Sequence, residues 1–385
     1  MIIRVLSSLI LSLIAVNLYA ETAPDSDATA KLVQTSMTAL MQKNGIPGAA
    51  VELYVDGRLY EQYYGYAKPE PKDPVTRKTI FEIGSLSKIM TSVLLAQEVD
   101  WAKMALNDPL TKYVKGLPQS FDKIKLQDLA THTAGLPFNL PRNINNQIEL
   151  QEYLNDWSPK GLPGEEWRYS NVGIGLLGQA LERSTDSDYG DLYRRHILNP
   201  LKMVYGVSVP KTLMKYYADG YDAKGQLVTR EVPGLFPAAS DVKASALDMQ
   251  RFLSAAIGLK GTPPRVLYPM KLTQSMFIKM NDYDYQGLAW QIHSIKDTAD
   301  IRWLLSLSDR ADMMGPLDVQ TVYQRPIYSG SVLMDKTGAT KGFRTYIAVI
   351  PNKQSGIVIL VNKNISDRAI VRTAREILFK VTDLV

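Results

Sequence analysis

The chain reads as a mixed α/β fold of the α+β kind: an antiparallel sheet drawn from both chain ends, flanked by helices, with a mostly helical subdomain inserted between them. Three observations predict it. Residues 49–54 and 58–66 are strand-like runs either side of Asp56-Gly57, the signature of a hairpin. Residues 344–349 and 356–361 repeat the pattern near the other end, joined through Pro351-Asn352-Lys353. From about 98 to 300 the apolar residues recur mainly at helical spacing, broken by long irregular connections.

Each element has its own local reason. Over 27–45, Leu32, Met37, Leu40 and Met41 keep helical spacing, and Asn44-Gly45 with Pro47 beyond stops the helix. The stretch 68–78 is a loop rich in proline and charge, and Phe81-Glu82-Ile83-Gly84 then leads into a helix-prone apolar run ending near Gln97. Leu106-Asn107-Asp108-Pro109 and Lys115-Gly116-Leu117-Pro118 are breakers. A short helix is expected over 126–133, a small-residue helix over 172–183 around Gly173, Gly175 and Gly178, and an amphipathic one over 248–257. A closing helix over 367–380 puts Ile370, Ala374, Ile377 and Leu378 on one side. No repeat or flexible linker interrupts the chain. The expectation is one domain over 21–385, with a sheet subdomain from 27–80 and 300–385 and a helical subdomain from about 85 to 300.

The first twenty residues follow a different logic. Met1-Ile2-Ile3-Arg4 is a short positive start, residues 5–16 are apolar, and Asn17-Leu18-Tyr19-Ala20 precedes a polar stretch. This reads as a signal peptide cleaved near Ala20, hence a periplasmic mature protein. The alternative is an uncleaved anchor, for which the apolar run is short. No later segment is long and apolar enough to cross a membrane.

Composition removes whole classes of chemistry. With 45% hydrophobic and 22% charged residues the chain is ordinary for a globular protein. Its net charge of +5 is scattered rather than gathered in a stripe, so no nucleic-acid partner is expected. Cysteine is absent, which excludes disulfides, thiolate metal sites and a cysteine nucleophile. The three histidines, His132, His196 and His293, form no zinc-binding pattern, and no Gly-x-Ser-x-Gly elbow occurs. Neither metal nor cofactor is expected, and a monomer is the default.

One short motif points to a serine nucleophile with a lysine beside it. In Gly84-Ser85-Leu86-Ser87-Lys88 a serine precedes a lysine by three residues, which on a helix's first turn puts hydroxyl and ammonium on one face. The spacing recurs at Ser120/Lys123, Ser208/Lys211 and Ser240/Lys243, so it is not diagnostic alone. Two further motifs select the first copy. Tyr169-Ser170-Asn171 offers a phenol that two ammonium groups could ionise, with an amide able to contact lysine and substrate. Lys336-Thr337-Gly338 offers a fixed cation and a hydroxyl for an anionic substrate, with glycine removing bulk. The N–H of Ala339 could then join that of Ser85 around an oxyanion. The three motifs run in the order Ser-x-x-Lys, Tyr-x-Asn, Lys-Thr-Gly, about 80 and about 165 residues apart. Ser208 is followed by Pro210, Ser120 sits in a loop, and Ser240 lies after Tyr169.

Over residues 27 to 380 the chain resembles a class C (AmpC-type) serine β-lactamase, within the penicillin-recognising serine hydrolases. The matching stretches are Phe81 to Lys88, Leu129 to Pro137, Tyr169-Ser170-Asn171, Tyr285 to Trp290, Lys336 to Thr340 and Gly356 to Asn364. The resemblance implies a β-lactamase/transpeptidase-like fold and hydrolysis of a small-molecule β-lactam through an acyl-serine intermediate, conferring resistance. It implies Ser85 as nucleophile, Lys88 and Tyr169 as the proton-handling pair, and the Ser85 and Ala339 N–H groups as oxyanion hole. Asn139 and Asn171 become contacts to the substrate's amide side chain, and Lys336, Thr337 and Gly338 line the carboxylate side. Glu165 and Glu166 carry no deacylating role. The sequence departs from the pattern at Asn139, where glutamine is usual, at Lys341 and Arg344, and beyond Asn364. It also departs at 236–241, which lacks the usual tyrosine. A D-alanyl-D-alanine peptidase or esterase on the same scaffold, and a sensor that stays acylated, are the competing readings.

Overall fold

A computed structural model describes residues 26–158, 161–230, 234–306, 316–325 and 331–384. The expected signal peptide lies outside the described residues. Among the described residues no helix is long and apolar enough to cross a membrane.

Ten strands form one sheet. From edge to edge they are Gln320–Arg325, Met276–Lys279, Asp284–Gln286, Gln291–Ile295, Ser331–Ala339, Arg344–Ile350, Ser355–Val361, Gly48–Val55, Arg58–Lys68 and Asp73–Pro74. Their pairings are antiparallel, and the two chain ends meet where Ala50 faces Leu360 and Leu53 faces Ile357. The hairpin predicted near the start is present. Asp56 and Gly57 both take positive φ, 49° and 74°, the backbone that two-residue hairpin turns require.

The middle strands are buried on both faces, and their alternation separates two cores. Ile357, Ile359, Val361, Tyr346 and Ala348 face the helices Ser26–Asn44 and Asp367–Val381. Val358, Leu360, Ile347 and Val349 face the helical region. On that side the helix Ser87–Asp100 is buried almost all round, from Ser87 to Glu98, which is why its sequence shows so little polar stripe. A buried network ties the closing helix to the sheet. Arg375 reaches Asp335 at 2.5 Å and the Leu304 carbonyl at 2.7 Å, while the Tyr346 hydroxyl donates to the same carboxylate.

One expectation is corrected. The sheet resumes at Met276, not near 300, because three strands come from the stretch assigned to the helical region. They are short, and their inward positions include Asp284, Gln286 and His293, which breaks the apolar alternation that marks a strand. The polar groups are satisfied within the sheet. Asp284 Oδ1 lies 2.5 Å from His293 Nδ1, and Gln286 Nε2 donates to the Trp290 carbonyl at 2.7 Å. The short helix is Leu126–Ala130 rather than 126–133, because His132 adopts a left-handed φ of 63°. The helix at 246 starts two residues early, at Ala246, where Ser245 and Asp248 form a capping box.

Candidate active site

Ser85 lies in the one-turn 3-10 helix Gly84–Leu86, directly ahead of the buried helix. Two glycines let the Lys-Thr-Gly strand close on that turn. Gly84 has φ of 53°, and a Cβ there would stand 2.6 Å from the Ala339 backbone nitrogen. A Cβ on Gly338 would stand 2.1 Å from the Ile83 carbonyl oxygen. Thr345 Oγ1 donates to that same oxygen at 2.9 Å, pinning the contact.

Lys88 is fully buried, and its Nζ donates to Ser85 Oγ at 2.9 Å and to the Ala239 carbonyl at 2.7 Å. The Ala239 carbonyl is held there by small residues on Asn171–Thr185. A Cβ on Gly175 would meet the Phe236 ring at 2.1 Å, and one on Gly178 would meet Ala238 Cβ at 2.5 Å. The glycines expected to permit close packing therefore seat the short helix Pro237–Ser240 that anchors the lysine. Burial, foremost, brings the Lys88 ammonium down to about 8; Tyr169 opposes that shift and Lys336 adds to it.

Tyr169 is held between two cations. Lys336 Nζ is 4.6 Å from its ring centroid and Lys88 Nζ 5.1 Å. Burial alone would raise its phenol, but the charges of Lys336 and Lys88 outweigh that and bring it to about 8, with hydrogen bonds to Ser85 and Lys336 adding to the effect. Ser170 caps the following helix, its Oγ accepting from Gly173 N–H at 2.8 Å and donating to the Pro137 carbonyl at 2.7 Å. Asn171 donates from Nδ2 to Asn139 Oδ1 at 2.6 Å, and its own Oδ1 is buried without a partner among the described residues.

The structure thus brings together Ser85, Lys88, Tyr169, Lys336 and the backbone of Gly338 and Ala339, with Asn139 and Asn171 beside them. Thr337 pairs with Tyr346 and sits half-buried one residue along from Lys336. Arg344 is turned to Asp367, 2.9 Å from its carboxylate, and to Asn364. Next to the two asparagines a cavity of about 340 Å³ is lined by Leu235, Phe236, Ser240 and Asp241, where the usual tyrosine is missing. Among the other Ser-x-x-Lys copies, Lys243 donates to the Asp241 carbonyl at 2.8 Å. No cluster able to hold a metal occurs among the described residues.

Sequence reasoning missed two participants. The Ala239 carbonyl is backbone, so no residue type announces it. His132 falls inside the Leu129 to Pro137 match, but no motif singles it out. Its ring packs on Tyr169 with centroids 4.3 Å apart.

A half-buried serine bonded to a buried lysine, beside a phenol flanked by cations, defines a serine acyl hydrolase. The chain belongs to the beta-lactamase family, whose model matches residues 33–380. A beta-lactamase of Yersinia enterocolitica is 33% identical over 355 residues, covering 91% of this chain and 90% of that protein. One from Escherichia coli K12 is 32% identical over 351 residues, covering 90% and 92%. A class C beta-lactamase solved with cefoxitin superposes with a TM-score of 0.85 at 31% identity, covering 92% of this chain and 99% of that one. A beta-lactamase/D-alanine carboxypeptidase from Pseudomonas syringae gives 0.86 at 30% identity, covering 91% and 98%. The fold is that of class C β-lactamases, and the chain is a serine β-lactamase of that class.

Proposed function

We propose the following division of labour for β-lactam hydrolysis. Ser85 Oγ attacks the ring carbonyl while the Tyr169 phenolate takes its proton. The C–N bond breaks and Tyr169 returns the proton to the leaving nitrogen, which leaves an acyl-Ser85 ester. Tyr169, again a phenolate, then draws a proton from water, which attacks the ester and releases Ser85 with the proton restored to it. Lys88 and Lys336 keep the phenol acidic enough for this cycle. The N–H groups of Ser85 and Ala339 stabilise the oxyanion, Asn139 and Asn171 bind the acyl side chain's amide, and Lys336 and Thr337 hold the substrate carboxylate. Gly338 keeps that edge open.

The observation that carries this reading is the 2.9 Å bond from Lys88 to Ser85 beside a phenol lowered to about 8. A chromogenic cephalosporin should be turned over by the wild type and not by Ser85→Ala. Intact mass after mixing should show a transient adduct. A wild type that is acylated and never turns over sinks the hydrolase reading and leaves the sensor.

A second reading, D-alanyl peptidase activity, has its support in the Pseudomonas syringae neighbour, which is named a beta-lactamase/D-alanine carboxypeptidase, and in the cavity beside Ser240 and Asp241. Hydrolysis rates for a cephalosporin, a D-Ala-D-Ala peptide and a p-nitrophenyl ester rank the two. We further propose that the chain is exported, cleaved near Ala20, and acts as a periplasmic monomer on small molecules, away from membrane and nucleic acid.

A further inference from the structure

His132 holds three consecutive residues at the centre of the site. Its carbonyl accepts from the Arg168 N–H at 2.8 Å, its Nδ1 accepts from the Ser170 N–H at 3.3 Å, and its ring lies against the ring of Tyr169 between them. The left-handed φ of 63° makes this bracket possible, because it turns carbonyl and side chain toward the same strand of chain. Such backbone is uncommon outside glycine and persists where the surroundings hold it. Trp167 meets the imidazole edge-on, at 6.0 Å and 85°.

We propose that His132 is the positioning residue for Tyr169: it aims the phenol into the gap between Lys88 and Lys336. The inference rests on the reading of Tyr169 as the proton carrier. An Nδ1 that accepts a hydrogen bond carries no proton, so the proton sits on Nε2 and the ring is neutral. Burial, foremost, and the nearby Lys336 and Lys88 ammoniums hold the imidazole well below its usual range. The charged groups facing the phenol are therefore Lys88 from the helix and Lys336 from the strand, with Asp241 acting on Lys88 from behind. A third cation at 132 would lower the phenol further, and a non-aromatic side chain would leave it without the ring it packs on. Nε2 is buried with no partner among the described residues, so the described contacts of this side chain are those of Nδ1 and the ring.

Two substitutions separate the ring from the acceptor. His132→Asn places an oxygen where Nδ1 was and tolerates left-handed backbone, so only the ring is lost. His132→Phe keeps a ring and loses the acceptor. Turnover of a chromogenic cephalosporin, with kcat and KM read separately across pH and melting followed by circular dichroism, gives the result. In His132→Asn, kcat should fall about tenfold or more with KM within about threefold of wild type. The rising limb of the pH profile should also move up. The phenol sits at about 8 because charge outweighs burial, and loosening both moves it back toward 10. A folded His132→Asn with wild-type kcat and limb overturns the proposal, as does a lower kcat with an unmoved limb, which is what a structural role alone produces. If the Asn variant does not fold, the limb of His132→Phe decides: moved supports, unmoved overturns. Tyr169→Phe is measured alongside, and full turnover there removes the Tyr169 reading itself, independently of His132.

Discussion

Lys336 Nζ stands closer to the Tyr169 ring centroid than Lys88 Nζ does, 4.6 Å against 5.1 Å. The two ammoniums come from different elements, a strand and a helix, and meet on one phenol. Lys336 is also the larger of the two charge effects on it. The strand lysine, not the one bonded to the nucleophile, is the main source of the tyrosine's acidity.

Lys336→Gln should therefore act through pH as well as through binding. With the phenol at about 8, roughly a tenth is ionised at pH 7; returned toward 10, about a thousandth is. The expected loss in kcat/KM at pH 7 is on the order of 100-fold, shrinking as pH rises, with a further rise in KM for carboxylate-bearing substrates. A loss that is constant from pH 6 to 10 assigns Lys336 to binding alone.

Lys88→Met should abolish turnover and leave the fold intact or firmer. The Lys88 ammonium falls from 10.5 to about 8 on folding, so the unfolded chain binds the extra proton between those values. Stability from this group is thus present above 10.5, is lost as pH falls through 8, and stays lost below. Removing it relieves an unfavourable contribution of about 3 kcal/mol at neutral pH, offset in part by the loss of its bond to the Ala239 carbonyl. Melting curves at pH 7 and pH 10 test this: the variant's advantage should narrow at the higher pH.

The parts legible beforehand are those where side-chain identity and spacing carry the chemistry. Ser85 and Lys88 share a helical turn, Tyr169 and Asn171 flank a helix start, and Lys336 opens a tripeptide, so short motifs sufficed. The terminal strands were legible because residues such as Ile357 to Val361 are apolar and mostly β-branched. The strands from Met276 to Ile295 were not, since they bury Asp284 and His293 against each other and only the folded sheet supplies those partners. Ala239 acts through its carbonyl, which every residue possesses. His132 acts through a backbone conformation that its residue type does not announce.

Gly338→Ala should damage site and fold together. The new Cβ would meet the Ile83 carbonyl oxygen at 2.1 Å and Thr345 Oγ1 at 2.3 Å, and the first of these is backbone that has nowhere to move. The strand must back away from the Ser85 turn, carrying the Ala339 N–H with it. A destabilisation of about 1–3 kcal/mol is expected, with a fall in kcat on the order of 100-fold if that N–H serves the oxyanion. Thr337→Ala, one residue away on the other face, is the control. It should melt within about 0.5 kcal/mol of wild type while its KM for carboxylate-bearing substrates rises.

Glu52→Gln should stabilise the protein at high pH and leave turnover alone. Glu52 is 1% exposed and pairs across the hairpin with Glu61, like charge opposite like charge. Its Oε1 accepts from the Tyr63 hydroxyl at 3.1 Å, while Oε2 is buried without a partner among the described residues. Burial, and then the Glu61 charge, raise its carboxyl from 4.5 to about 8. The folded state therefore holds a proton that the unfolded state releases. The stability this contributes is complete below 4.5 and is lost as pH rises through 8. Glutamine keeps the shape and the acceptor without the charge, so its advantage should be absent near pH 4, grow through neutrality and reach about 5 kcal/mol above pH 8. Thermal melts across that range decide it; an advantage equal at every pH would show that packing, not ionisation, is what the substitution changed.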